Sequence, residues 1–276
     1  MKIAIQGIKG AFHEEAAILL FDSGNLEVLP CLTFEGLAEE VSSNRVDYGM
    51  MAIENTIAGT ILSNLELIRQ HKLWINTEVY LRIRQNLGGI PGATLEKIRE
   101  VHSHYMALNQ CREYFADHPH IQLIQSEDTA LSIQEVALKG TVEMAAIGSA
   151  LAMKYYGLEI LAEEIETDKQ NYTRFLLLSS FPKHKVDDFN KVTISLVPCE
   201  ISGAFFQIME VMNQYDLELT KIESGAILGE PWHYRFYIDL YFNRKGQFEN
   251  MVKALQPLVK EFIIMGQYIA ANNLPE

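Results

Sequence analysis

Short apolar runs alternate with amphipathic stretches along residues 1–180 of the chain. Runs rich in β-branched residues predict strands at 2–6, 48–53, 79–83, 100–102, 122–125, 144–147 and 174–178. Apolar positions at helical spacing predict helices at 14–21, 34–43, 61–71, 106–115, 130–139 and 151–156. Strands that alternate with helices are typical of an α/β fold, in which helices cover the faces of a sheet.

The alternation breaks at residues 74–92. A long strand pattern, TEVYLRIRQNL, is followed there by GGIPG and not by a helix, as expected of a segment that crosses between two lobes. A return crossing is expected at 158–172. Two α/β lobes joined by two crossings enclose a cleft, and such clefts commonly hold ligands. The sequence thus predicts a two-lobed α/β domain at 1–180 with a central cleft.

A different pattern begins after residue 180. Residues 181–191 (FPKHKVDDFNK) are polar and contain Pro182, which is typical of a linker. Residues 192–276 then read strand (VTISLV), helix (AFFQIMEVMNQY), strand (ELTKIES), strand (WHYRFYIDLYF), helix (FENMVKALQPLV) and strand (FIIMGQYI). This βαββαβ order predicts a separate, ferredoxin-like domain.

Composition narrows the classes of partner. The chain has 276 residues, of which 48% are hydrophobic and 21% charged, as in an ordinary globular protein. A formal net charge of -13 disfavours nucleic acid, because phosphate binding requires a basic face. An anionic substrate would therefore be held locally, by a few basic side chains, by hydroxyls and amides, or by helix N-termini.

Cysteines and the N-terminus bear on the compartment. Cys31, Cys111 and Cys199 are widely separated and lack metal-binding spacing, so neither a disulfide framework nor a metal site is predicted. The segment MKIAIQG enters a strand pattern directly, with no apolar stretch typical of a signal peptide or a membrane span. We expect a cytoplasmic protein without a membrane segment.

Several polar residues occupy positions from which they could contact a ligand. Asn55 and Thr56 follow an apolar strand, where side chains of α/β sheets face the crevice, although both residue types also cap helices. Thr173 and Arg174 begin the strand pattern NYTRFLLL, where threonine is also an ordinary strand former. Hydroxyls ahead of helices, such as Ser103 and Thr129, serve either as N-caps or as anion donors.

Taken together, these segments are similar to the successive motifs of one enzyme family. They read, in order, GIKGAFHEEAA, VDYGMMAIENTIAGT, VHSHYMALNQCREYF, EDTALSIQEVA, MAAIGSALAMKYYGLEIL and NYTRF. In order and spacing they resemble the motifs of prephenate dehydratases, whose two lobes are similar in shape to those of periplasmic binding proteins. The tail segments ISGAFFQIM, LTKIESGAI and WHYRFYIDL resemble the ACT-type regulatory domain that those enzymes carry.

The resemblance implies a reaction in phenylalanine biosynthesis. Prephenate loses carbon dioxide and its ring hydroxyl to give phenylpyruvate, and neither a cofactor nor a metal is implied. Thr173 matches the family's essential threonine, a positioned donor to the leaving ring oxygen. The implied substrate contacts are Asn55, Thr56, Ser103, Gln110, Thr129, Arg174 and Phe175. For Arg174 the resemblance leaves two roles open, pairing with a carboxylate or orienting the segment, and Phe175 would also support the strand.

The chain departs from the family pattern at two places. The family's Gly-Pro-x-Gly-Thr-Phe has Ile8 and Ala11 here, which removes one hydroxyl contact and leaves the backbone donors of the turn. In the regulatory domain, Gly225 and Ala226 stand where the family commonly has Arg and Pro, and Phe205 stands where it has Leu.

The regulatory resemblance also implies an effector and an oligomer. L-Phenylalanine is expected to bind between paired ACT domains and to inhibit the enzyme, which implies a homodimer or homotetramer. The implied effector contacts are Gly203, Ala204, Phe205, Glu223 and Ser224.

Other functions remain open at this point. An arogenate or cyclohexadienyl dehydratase would use the same chemistry on a substrate that carries an amino group. A non-catalytic amino-acid sensor would use the cleft for binding alone, but it would have no need of a donor at Thr173. A DNA-binding regulator is disfavoured by the net charge.

Overall fold

A computed structural model describes residues 1–21, 25–183, 189–244 and 246–271. The strands are β1 (Lys2–Gln6), β2 (Glu27–Cys31), β3 (Tyr48–Asn55), β4 (Gly59–Thr60), β5 (Trp74–Arg82), β6 (Asn86–Gly89), β7 (Glu100–His104), β8 (Gln122–Ser126), β9 (Met144–Gly148), β10 (Glu159–Ala162), β11 (Tyr172–Ser179), β12 (Lys191–Pro198), β13 (Glu218–Ala226), β14 (Tyr234–Tyr241) and β15 (Val259–Tyr268). The helices are α1 (Phe12–Leu20), α2 (Phe34–Ser42), α3 (Leu62–Gln70), α4 (Tyr105–Gln110), α5 (Arg112–Ala116), α6 (Thr129–Lys139), α7 (Ala150–Tyr156), α8 (Ala204–Gln214) and α9 (Gln247–Leu255).

The strands form two sheets, so the fold is mixed α/β. The larger sheet has the order β13-β14-β12-β15-β5-β11-β3-β1-β2, with β4 paired to β3, and the smaller sheet has the order β10-β6-β9-β7-β8. Strand β1 runs parallel to β2 and β3, whereas β11 lies antiparallel between β3 and β5. The carboxyl ends of β1 and β3 and the start of β11 therefore meet at one edge of the larger sheet.

The chain passes twice between the two sheets. It leaves the larger sheet after β5 and enters the smaller one at β6, and it returns between β10 and β11. A shared apolar cluster joins the two lobes, with Ile5 and Phe175 on one side and Ile133 and Met153 on the other. No helix in the described ranges is long and apolar enough to cross a membrane.

Helix α7 packs closely on the turn that follows β1. A Cβ atom on Gly10 would lie 2.5 Å from the Cα atom of Ala152, and Gly10 has φ +89°. Only glycine tolerates both conditions without strain. The Ser149 hydroxyl donates to the carbonyl oxygen of Gly10 at 2.6 Å. The two lobes are thus held together at the turn from which α1 starts.

After residue 190 the elements follow the predicted order strand, helix, strand, strand, helix, strand. One face of this part of the sheet packs on α8 and α9 around Ile194, Ile208 and Met251. The opposite face lies against the first lobe. It carries polar groups such as Asp239 and also residues of the first lobe's apolar cluster, such as Met265 and Tyr268. The two parts of the larger sheet join at a single pairing, Gly266 with Ile75, where a Cβ on Gly266 would approach the Ile75 carbonyl oxygen to 2.5 Å.

Some predicted boundaries differ from the observed ones. The predicted helix at 106–115 is divided at Cys111 into α4 and α5. Strands β2, β6 and β10 were not predicted, and β5 begins at Trp74, five residues before the predicted strand at 79–83. Of the predicted linker, residues 184–188 lie outside the described residues, and Lys191 already belongs to β12.

Candidate active site

A cleft of about 330 Å³ lies between the two lobes, at the edge where β1 and β3 end. Amide and hydroxyl side chains face it from both lobes and from the first crossing, and they are Gln6, Asn55, Gln85, Gln110, Thr129 and Thr173. The apolar wall is formed by Phe12, Phe34, Ile61, Ile83, Met106 and Phe175. A cleft with an apolar wall and a few converging polar groups suits a small ring-bearing ligand.

Asn55 and Thr173 are bonded partners in this cleft. They are paired across β3 and β11, and Nδ2 of Asn55 donates to Oγ1 of Thr173 at 2.9 Å. The orientation of the amide is fixed, because Oδ1 of Asn55 accepts from the backbone N–H groups of Ile57 at 3.0 Å and Ala58 at 2.9 Å. Since Asn55 must donate to it, the Thr173 hydroxyl acts as the acceptor of that bond and keeps its own hydrogen for another partner.

A chain of amides connects both crossings to the second lobe. Oε1 of Gln110 accepts from Nδ2 of Asn171 at 3.0 Å and from Nε2 of Gln85 at 3.2 Å. Asn171 in turn accepts from Asn55 at 2.8 Å. Because Oε1 of Gln110 takes both of these bonds, its NH₂ group remains available on the cleft side. The hydrogen bonds among these amides therefore link the second lobe to both crossings and, through Asn55, to Thr173.

Helix N-termini, and not basic side chains, are the groups of the cleft that can attract an anion. Among the described residues, no lysine or arginine lines the cleft, whereas two carboxylates, Glu127 and Asp128, do. Helix α6 begins at Thr129 on the cleft wall, with Asp128 as its N-cap. Helix α1 begins at Phe12, and its N-cap Ala11 makes no side-chain cap bond. Unpaired N–H groups and the helix dipole at such ends favour an anion.

His13 is a cleft residue that the sequence analysis missed. Burial lowers the pKa of His13 to about 3, so its ring is neutral at ordinary pH. Its Nε2 accepts from the Ala52 N–H at 3.4 Å, which places the ring proton on Nδ1. The ring packs edge-on against Phe175 at 5.0 Å. The histidine lies within the motif GIKGAFHEEAA, which was its only signal, because it has no metal-binding spacing.

Three residues predicted to contact substrate have other partners. The Ser103 side chain is buried and donates to the carbonyl oxygen of Ile147 at 2.8 Å. The Thr56 hydroxyl donates to the carbonyl oxygen of Gln170 at 2.7 Å and accepts from the Tyr172 N–H at 3.0 Å. Ser103 therefore ties β7 to β9, and Thr56 ties the end of β3 to the return crossing. The third residue, Arg174, points away from the cleft.

Arg174 belongs to a buried polar cluster under the C-terminal sheet. Its guanidinium donates to Glu78 at 2.8 Å, to Asp239 at 2.5 Å and to the Tyr268 hydroxyl at 3.1 Å. Lys191 donates to both oxygens of Glu78 at 2.9 Å. Burial alone would raise the pKa of Asp239, but Arg174 and Lys191 stabilise the carboxylate and hold the pKa below its ordinary value.

The predicted effector residues do not form one group. Gly203 is the N-cap of α8, and Phe205 stacks on Phe236 with ring centroids 4.3 Å apart. Glu223 lies on the other face of β13, where it accepts from the Thr60 hydroxyl at 2.5 Å. Ala204 is buried, and Ser224 is exposed beside Phe236. Gly203, Ala204 and Phe205 lie at the start of α8, on the same face of the sheet as Ser224.

In the described ranges of the chain, no three His, Cys, Asp or Glu side chains are grouped so that they could hold a metal ion. The cleft offers hydroxyl, amide and backbone donors against an apolar wall. This combination suits the binding of a small anion and hydrogen-bond donation to a leaving oxygen.

Comparison with known proteins agrees with this chemistry. A family model described as prephenate dehydratase matches residues 3–183. The "Arogenate dehydratase/prephenate dehydratase 1, chloroplastic" of Arabidopsis thaliana is 38% identical over 254 residues, which are 87% of this chain and 64% of the relative. The chain thus spans 64% of the length of this curated relative.

Two solved structures share the fold over nearly the whole chain. A prephenate dehydratase from Arthrobacter aurescens, solved in complex with L-Phe, is 25% identical with a TM-score of 0.87, and the match covers 98% of this chain and 90% of that one. A protein described as GqqA, a novel type of quorum quenching acylase, is 27% identical with a TM-score of 0.89, and the match covers 98% of both chains.

Proposed function

The chain belongs to the prephenate dehydratase family, and we propose that it converts prephenate to phenylpyruvate in phenylalanine biosynthesis. It is accordingly a carbon-oxygen lyase, and we place it in the cytoplasm. The observation that carries the proposal is the Thr173 hydroxyl in the cleft, held as an acceptor by Asn55 at 2.9 Å and free to donate its hydrogen.

The reaction requires little more than a positioned donor. The bond between the ring and its carboxylate breaks, and carbon dioxide leaves. The released electron pair moves through the ring and expels the hydroxyl group from the opposite carbon. The hydroxyl group takes up a proton and leaves as water. Aromatisation of the ring drives both steps, so the protein's task is to orient the dianion and to stabilise the departing oxygen.

Each part of the cleft has a task in this proposal. Thr173 donates to the leaving oxygen, and Asn55 fixes the direction of that donation. Phe175 and Phe34 pack against the ring. Gln110, Thr129 and the N-terminus of α6 hold the carboxylates. The buried cluster around Arg174 anchors the strand that carries Thr173, and neither Arg174 nor Ser103 is given a substrate contact.

One observation favours a second candidate, arogenate dehydration. The charged residues that line the described part of the cleft, Glu127 and Asp128, are both acidic, and an ammonium group would be attracted to them where a keto group would not. Arogenate carries such a group in place of the keto group of prephenate. The relative from Arabidopsis thaliana is named for both activities.

We further propose that residues 192–276 form an ACT-type domain that senses L-phenylalanine and pairs with a second copy of the chain. The βαββαβ order and the resemblance of the Glu223–Ser224 segment support this assignment. The related Arthrobacter aurescens enzyme was solved with L-Phe bound.

The test is turnover of prephenate by the purified chain and by two variants. Thr173→Ala should lower kcat by about 10²-fold or more, because it removes the donor to the leaving group. Thr173→Ser keeps the hydroxyl and should retain most of the activity. Arogenate as a parallel substrate separates the two candidates. Binding of prephenate without formation of phenylpyruvate by the wild type would reject the proposal.

A further inference from the structure

A second cavity, of about 370 Å³, lies between helix α3 of the first lobe and strands β13 and β14. It shares no lining residue with the cleft. Its volume falls within the range of small-molecule sites. We name it the α3 cavity.

The cavity is open at Gly225. This residue faces α3, and a Cβ atom on it would lie 3.6 Å from Cδ2 of Leu62, an ordinary contact distance. A side chain at position 225 would therefore project into the α3 cavity. Since the segment Glu223 to Ala226 resembles a family pattern that carries arginine at this position, the glycine leaves room here that a large side chain would fill.

The lining combines a positive polar wall with an apolar one. Two guanidinium groups, those of Arg69 and Arg235, face the cavity together with one carboxylate, Glu66. The Glu66 carboxylate is fully engaged, because it accepts from Arg69, from Gln70 and from the Tyr237 hydroxyl. Each guanidinium already pairs with a carboxylate, Arg69 with Glu66 and Arg235 with Glu261. A guanidinium has five N–H donors, and the bonds found here use two on Arg69 and three on Arg235, so a carboxylate brought by a ligand would bind through the remaining ones.

The apolar wall consists of Leu62, Ile227 and Leu228. Leu228 is 91% exposed, so it lies at the mouth of the cavity. Arg69 keeps 23% of its side chain exposed and Arg235 keeps 9%, so both can still be reached from the cavity.

We propose that the α3 cavity binds a small carboxylate with an apolar body, of the size of an aromatic amino or keto acid. The guanidinium groups of Arg69 and Arg235 bind the carboxylate, and the apolar wall covers the body. Glycine at position 225 is what admits the ligand. The site is contained within one chain, and its ligand need not be the substrate of the cleft.

The α3 cavity is placed to influence the cleft. Leu62 lines the cavity, and the preceding residue, Ile61, lines the cleft. Beside the cavity, Lys221 pairs with Glu54 at 3.0 Å and donates to the Thr60 hydroxyl at 2.6 Å. A ligand that shifts α3 would therefore act on the turn that carries Asn55.

Calorimetric titration of the full chain tests the site directly. The probes are 3-phenylpropanoate, L-phenylalanine and 2-phenylethylamine, which differ in their carboxylate and amino groups. The wild type should bind the two carboxylates and not the amine. Gly225→Leu fills the cavity without backbone strain and should abolish this binding. Arg69→Gln should weaken it about tenfold while leaving the cavity open.

Ser224→Leu is the matched control. It adds the same side chain one residue earlier, on the opposite face of β13. Binding that survives Ser224→Leu and is lost in Gly225→Leu and weakened in Arg69→Gln assigns the ligand to the α3 cavity. Binding that is lost in Ser224→Leu and kept in Gly225→Leu places the ligand on the other face and overturns the proposal, as does a wild type that binds neither carboxylate. The titrations measure binding and not turnover, so their result is independent of the test of the proposed reaction.

Discussion

Thr173 and Arg174 are consecutive on β11, but their side chains lie on opposite faces of the sheet. Thr173 faces the cleft, where it accepts from Asn55 at 2.9 Å. Arg174 donates to Asp239 of β14 at 2.5 Å, beneath the C-terminal sheet. The strand that carries the proposed donor is therefore fixed from behind by residues that come 65 or more positions later in the chain.

Replacement of Asn55 by aspartate tests the direction of the hydrogen bond to Thr173. The carboxylate can still accept from the N–H groups of Ile57 and Ala58, so the turn is retained. It cannot donate, and the Thr173 hydroxyl would instead donate to it and be lost to the substrate. We expect kcat for prephenate to fall about 10²-fold.

Steady-state kinetics and a thermal melt measured on the same Asn55→Asp preparation check this expectation. An unchanged melting temperature with reduced kcat would agree with the assigned role. Full activity in the variant would show that the orientation of the Thr173 hydroxyl is not set by Asn55.

Two carboxylates on the C-terminal sheet should differ in their contribution to the free energy of unfolding, because only one of them belongs to the buried cluster. Asp239→Asn removes one charge that faces the buried Arg174, whose side chain is 4% exposed. Breaking a buried pair in this way costs about 3 kcal/mol or more of unfolding free energy. Glu261→Gln is the matched control, because Glu261 pairs with Arg235 but is 40% exposed. The control should lose about 1 kcal/mol or less.

Urea denaturation of Asp239→Asn and Glu261→Gln measures both effects. Equal losses in the two variants would contradict the proposed weight of the Arg174 cluster. A prephenate assay below the unfolding transition shows in addition whether anchoring of β11 changes kcat.

Much of the fold follows from the apolar pattern because buried strands and helices carry it directly. The strand predicted at 2–6 coincides with β1, and βαββαβ order after residue 190 is as expected. Strand β6 escaped prediction for a physical reason. A Cβ atom on Gly88 would lie 2.2 Å from Sδ of Met153, so close packing and not β-propensity selects glycine there. Strand β2 contains Pro30, which weakens a strand pattern.

The site was less accessible to sequence reasoning. Asn55 and Thr173 are 118 positions apart, and only the pairing of β3 with β11 brings them together. The resemblance selected both residues, but it also selected Arg174. Alternation along a strand puts Thr173 and Arg174 on opposite faces, which favours for Arg174 the alternative role of orienting the segment. Ser103 is of a residue type that often contacts substrate, and its bond to Ile147 depends on the pairing of β7 with β9, which the sequence does not specify.

The acidic side of the cleft predicts a change in substrate preference. Glu127 lines the cleft and is exposed. Glu127→Gln removes a negative charge that repels the prephenate dianion, so its KM should fall about two- to fivefold with little change in kcat. Arogenate should gain less, because its ammonium group loses an attractive partner.

The ratio of kcat/KM for arogenate to that for prephenate reports this change. Glu135→Gln, on the outer face of α6, is the control, because it makes the same change in net charge away from the cleft. A ratio that moves equally in both variants would mean that Glu127 acts only through the overall charge.

Protonation of the buried Glu15 should make the stability of the folded protein depend on pH. Burial raises the pKa of Glu15 to about 7, more than its bonds to Leu151 and Ser149 lower it. Because the folded state holds this proton more tightly than the unfolded state, the buried carboxylate costs stability above pH 7, and the cost disappears as pH falls toward 4.5. Glu15→Gln keeps an acceptor for the Leu151 N–H and removes the charge. The variant should therefore be more stable than the wild type at pH 8, by at most about 3 kcal/mol, and equal to it near pH 4.5. Melting temperatures of the wild type and of Glu15→Gln, measured across this pH range, test the expectation. A difference in melting temperature that stays constant with pH would mean that Glu15 does not titrate in the folded state as its burial requires.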